Sequence, residues 1–112
     1  MAIRLDKPWL PLDEAYLRLR GNMGVFQLAD ESGTVLYIGF AGGRARYGLG
    51  GEVRDLAAQV PMASCVRWEV TTAYQSRFRE LLSVHQADHG ALPEGNLTLG
   101  HLPARLGRLS PA

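Results

Sequence analysis

Apolar and polar positions change period several times along the chain, and each change marks a different element. Residues 24–30 and 34–41, "GVFQLAD" and "TVLYIGFA", are two short, mainly apolar runs containing β-branched and aromatic residues, separated by Glu31, Ser32 and Gly33. Two such runs joined by so short a turn predict an antiparallel hairpin. From about Arg44 the spacing becomes helical, with Leu49, Val53, Leu56, Ala57 and Val60 on one face. Gly48, Gly50 and Gly51 weaken its first turns and predict a delayed helix start near Gly51. A third strand is expected at "SCVRWEVTT", and Thr71 or Thr72 is placed to cap a long helix that Gly90 ends. On that helix Tyr74, Phe78, Leu81, Leu82 and His85 form a broad apolar stripe. Gln75, Arg77, Arg79 and Gln86 are expected to face water, with Glu80 beside the stripe.

Before the hairpin, "MAIRLDKPWLPL" carries two prolines and reads as an arm that lies across the surface or pairs at a sheet edge, followed by a short helix in which Asp13 is the expected cap and Gly21 the stop. After Gly90 the chain reads as turns with at most one short strand or helix. The predicted fold is α+β: a small three-stranded antiparallel sheet with flanking helices in the order β-β-α-β-α. The expected division is an N-terminal arm and short helix over 1–22, the folded domain over 23–97, and a tail over 98–112.

With 112 residues, one modest core is expected and no second domain. Apolar residues at 46% and charged residues at 21% fit a globular chain rather than a disordered one. A formal charge of +1 gives no general attraction to a polyanion, so a nucleic-acid surface has to be a local patch. The single cysteine, Cys65, excludes an internal disulfide and a thiolate cluster. No apolar run approaches 18 residues and no leader is evident, which sets a cytoplasmic, non-membrane protein as the expectation. His85 and His89 are four apart but lack the HExxH context of a metal helix, and His101 reaches the rest of the chain only if the tail folds back.

The tripeptides "GVF" at Gly24–Phe26 and "YIG" at Tyr37–Gly39, separated by residues 27–36, resemble the paired motifs of the GIY-YIG nuclease superfamily. The resemblance extends over about residues 23–97: Arg46, or alternatively Arg44, matches the family arginine, Glu80 the family glutamate, and Asn96 the family asparagine. It implies a divalent-metal-dependent endonuclease that hydrolyses nucleic-acid phosphodiester bonds. In that chemistry Tyr37 positions water, Arg46 or Arg44 stabilises the phosphate, and Glu80 holds Mg²⁺ or Mn²⁺. Two departures point to the alternative, a catalytically degenerate GIY-YIG-like nucleic-acid-binding or protein-interaction module. Phe26 lacks the usual hydroxyl, and Phe40 stands where a polar residue is common. DNA is the expected partner, with a further protein supplying targeting because the chain has no room for a separate targeting domain.

Overall fold

The computed structural model describes residues 4–102; the ends of the expected arm and tail, residues 1–3 and 103–112, lie outside the described range. The elements are β1 (Leu10–Pro11), α1 (Leu12–Arg18), β2 (Gly24–Ala29), β3 (Val35–Ala41), α2 (Gly48–Gln59), β4 (Cys65–Val70), α3 (Tyr74–His89) and α4 (Glu94–Leu99). The sheet has four strands in the order β1-β4-β2-β3, all antiparallel. The expected three strands make its body. The fourth, β1, comes from the proline-rich arm: Leu10 pairs with Val66 and Pro11 with Cys65. Proline is tolerated there because β1 is an edge and its missing N–H has no ladder partner to lose.

All six residues of β2 are buried, because helices cover both sheet faces. Alternate side chains of a strand point to opposite faces. Phe26 and Leu28 therefore join Tyr37, Ala41, Val66, Leu49, Val53 and Leu56 beneath α1 and α2. Val25 and Ile38 join Phe78, Leu81 and Leu82 of α3 on the other face, which Leu5 of the arm closes. Each fully buried leucine or phenylalanine contributes about 1.5–3 kcal/mol over its exposed state, so both layers hold the central strand.

The hairpin turn forms where the pattern places it. Asp30 Oδ1 accepts from the amides of Ser32 and Thr34, each at 3.0 Å. These bonds and the Ser32 hydroxyl hold the Asp30 carboxyl below its usual range. Helix starts depart from expectation. Asp13 is not a cap: α1 begins one residue earlier, at Leu12, after Pro11 and without a side-chain cap, and the Leu12 amide donates to Ser64 O, just before β4, at 3.2 Å. Asp13 lies instead in the first turn beside Glu14, where a negative charge suits the helix dipole. Likewise α2 starts at Gly48 rather than near Gly51, since Gly48 takes a positive φ of 61° against the backbone of Gly21. Thr71 acts two positions ahead of the α3 cap Ala73, its Oγ1 accepting from Ala73 N at 3.1 Å. Gly90 ends α3 in the left-handed conformation, as its position predicts.

Candidate functional site

Asn96 organises the exposed edge of β3. Its Oδ1 accepts from Ile38 N and its Nδ2 donates to Ile38 O, both at 2.8 Å, while Nδ2 also donates to His101 O at 3.0 Å. Ile38 is opposite Gln27 in the ladder, and both of its main-chain groups face away from β2. A side-chain amide thus takes the place of a fifth strand and seats α4 against the sheet edge. Asn96 is fully buried, and its side-chain oxygen and nitrogen are both engaged in these bonds.

Tyr37 lies on the α2 side of β3, one residue before Ile38. Gly39 makes its placement possible: a Cβ there would lie 2.6 Å from both the Phe26 Cζ and the Tyr37 Cε2, so only glycine lets the two rings close to 6.0 Å. The ring of Tyr37 is buried, and its hydroxyl reaches His101 Nδ1 at 2.8 Å. Burial, with a smaller contribution from the charge of Glu52, raises the Tyr37 pKa far above its ordinary value. The phenol is therefore neutral at pH 7 and able to donate a hydrogen bond.

Beyond Ile38 the β3 edge opens into a cleft of about 930 Å³. Phe40 forms its floor, stacked on Tyr74 at 5.6 Å and 18° and tilted against Phe78 at 4.9 Å. By the alternation that turns Ile38 outward, the main-chain groups of Phe40 face the same edge. Tyr74 sits flat on Gly42, where any Cβ would collide with its ring, and its hydroxyl accepts from Gly43 N at 3.3 Å. That contact fixes the loop bearing Arg44. Arg44 lines the cleft from this loop, Arg79 from α3, Glu52 from α2, and His101 from the turn after α4.

Among the residues singled out from the sequence, Tyr37 and Arg44 come together at this cleft. Arg46 does not line it; its guanidinium lies over the exposed Tyr47 ring at 5.6 Å. Glu80 does not line it either. On α3, Gln75, Phe78 and Arg79 face the β3 side, whereas Arg77 and Glu80 lie on the flank toward β4. Arg77 is not the water-facing residue its spacing predicts. Its side chain is only 12% exposed and bridges Glu80 and Glu69, the latter at 3.2 Å. The polar face of β4 supplies a carboxylate under the helix, and the paired charges shelter one another.

The carboxylate in the cleft is Glu52. It is half-buried, and burial followed by the charge of Asp55 raises its pKa, while His101 opposes the rise. Sequence reasoning passed it over because it flanks the α2 stripe. The available signal was its place three residues after Leu49 and four before Leu56, which turns it toward the apolar side of the helix. As the site for Mg²⁺ or Mn²⁺, Glu80 does not fit, because Arg77 holds its carboxylate away from Tyr37 and Arg44. Among the described residues no three His, Cys, Asp or Glu side chains gather as a metal-holding group. His85 and His89 bring their rings within 4.4 Å without a third ligand. No described helix is long and apolar enough to cross a membrane.

Residues 3–88 match the family described as a domain of unknown function, DUF7508. The chain belongs to the DUF7508 family. The match spans the whole hairpin, α2, β4 and nearly all of α3, so the aromatic floor and both cleft arginines lie within the DUF7508 region. Asn96 and His101 follow it in sequence and complete the cleft from outside it. No curated protein matches the chain.

Proposed function

We propose that this DUF7508 chain is a GIY-YIG-like module that binds nucleic acid, gripping phosphodiester groups in the β3-edge cleft, and that it does not use Glu80 for hydrolysis. The observation that carries this reading is the convergence of Arg44 and Arg79 beside the stacked Phe40–Tyr74 pair in one open cleft. Guanidinium groups match phosphate oxygens, and an aromatic floor accepts the face of any base, which together form the usual surface for single-stranded nucleic acid. The hairpin, helix, strand and helix order, with Phe26 packed on Tyr37 over Gly39, supports the family likeness. Against the family's catalytic use stand the missing hydroxyl at Phe26, the engagement of Tyr37 with His101, and the engagement of Glu80 with Arg77. A cytoplasmic location and a protein partner that supplies targeting belong to the same proposal.

Labelled single-stranded DNA and RNA titrated in fluorescence anisotropy test this. Replacing Arg44 and Arg79 together by alanine is expected to weaken binding about 10- to 100-fold and to flatten the salt dependence by about 1.4 in slope, the share of two phosphate contacts on a single strand. Binding that is unchanged by the double substitution rules out the cleft as the nucleic-acid surface.

One observation favours a second reading, the divalent-metal-dependent endonuclease: Glu52 enters the cleft beside Tyr37 and His101. It predicts Mg²⁺- or Mn²⁺-dependent cleavage that Glu52→Gln abolishes and Glu80→Ala leaves intact. Our first reading expects no cleavage from the folded protein across a mixed DNA and RNA panel. Cleavage lost with Glu80→Ala alone returns the family glutamate to its expected role and overturns the assignment of Glu80 to a structural ion pair.

A further inference from the structure

His101 is fixed in place by three hydrogen bonds although its side chain lies at the surface. Its amide donates to Asn96 O at 3.0 Å, its carbonyl accepts from Asn96 Nδ2 at 3.0 Å, and its Nδ1 meets the Tyr37 hydroxyl at 2.8 Å. The rings of Tyr37 and His101 meet edge-on at 78°. Main-chain and ring contacts together set both the position and the rotation of the imidazole at the wall of the cleft.

The direction of the Tyr37–His101 bond follows from burial. Among the described residues Nδ1 is the hydrogen-bond partner of the Tyr37 hydroxyl. If Nδ1 carried the imidazole proton, the phenolic hydrogen would have to turn toward the cleft that Tyr37 lines rather than pair within the fold. With Tyr37 donating instead, Nδ1 is the acceptor and the neutral ring must carry its proton on Nε2. A histidine held in this tautomer offers a neutral N–H donor at the wall of the cleft that Arg44 and Arg79 also line.

We infer that His101 is a ligand-contacting and specificity-determining residue of the cleft, donating from Nε2 to an oxygen of the bound nucleic acid, and that Tyr37 is the positioning residue that sets its tautomer. The inference rests on the cleft being the nucleic-acid surface. It gives Tyr37 a use other than the water positioning implied by its motif, and it explains why Asn96 anchors the turn after α4 as well as the strand edge.

The test is ¹⁵N–¹H correlation of the imidazole at about pH 8, well above the ordinary histidine range of about 6.5, with a short oligothymidylate as the probe. The wild type is expected to show the Nε2–H tautomer and a shift of its Nε2 signal on addition of the probe. Tyr37→Phe keeps the ring that fills the core and is expected to release the histidine into a tautomer mixture. His101→Ala is expected to weaken binding about 5-fold. An Nδ1–H tautomer in the wild type overturns the inference. So does a probe that shifts the Arg44 and Arg79 side-chain signals and leaves Nε2 still, an outcome under which the cleft reading survives. A probe that moves none of these signals overturns both.

Discussion

Asn96→Leu lowers the unfolding free energy by about 3–5 kcal/mol. The leucine fills a similar volume but leaves the Ile38 N–H and C=O without partners at a covered strand edge, at about 1–3 kcal/mol for each group. It also releases the His101 carbonyl. In a domain of this size the loss corresponds to a fall in melting temperature of roughly 15–30 °C. Urea and thermal melts check the magnitude, and hydrogen exchange at the Ile38 amide checks the place, since that amide is expected to lose its protection. A loss below about 1 kcal/mol, with Ile38 still protected, shows that α4 is held by something other than this side chain.

Gly24→Ala is the second large effect, at about 3 kcal/mol. Gly24 opens the central strand and pairs with Ala41 on one side and Val70 on the other. A Cβ there collides with the Glu69 carbonyl oxygen and also meets Leu49 Cδ1 at 3.0 Å. A side chain can rotate away, but the Glu69 carbonyl belongs to the neighbouring strand and moves only with it, so overpacking is relieved by prying β4 from β2. Gly43→Ala is the control, because nothing lies within 4 Å of a Cβ at that position. Denaturant midpoints of the two variants should separate clearly. Equal midpoints contradict the close approach of β2 to β4.

The elements that alternate or repeat strongly were legible: the hairpin with its turn at Asp30–Gly33, β4, and α3 with its stop at Gly90. Their signals are local, arising from side-chain period and turn chemistry. Features that depend on a distant partner were not legible. For the arm, edge pairing was one of two readings of the sequence, and the choice between them, with Leu10 and Pro11 as the paired residues, depends on the edge that β4 offers. Arg77 sits at a position that helix spacing assigns to water, yet Glu69 from β4 makes its burial favourable. Of the candidate site, Tyr37 and Arg44 were read from the motif and its neighbourhood and do meet at the cleft. Glu52, Arg79 and His101 join them through packing that no spacing within one element encodes. Asn96 was singled out by the family resemblance, but its three bonds to the strand edge and the following turn are a product of the tertiary fold.

Tyr74 lying on Gly42 has a mechanical consequence. The loop that carries Arg44 and the helix that carries Arg79 are separate bodies riveted at this one spot, by a ring on bare backbone and by the Gly43 amide on the Tyr74 hydroxyl. The rivet ties the backbone that carries one cation to the backbone that carries the other, and a side chain added at position 42 acts as a wedge that separates the two without removing either cation.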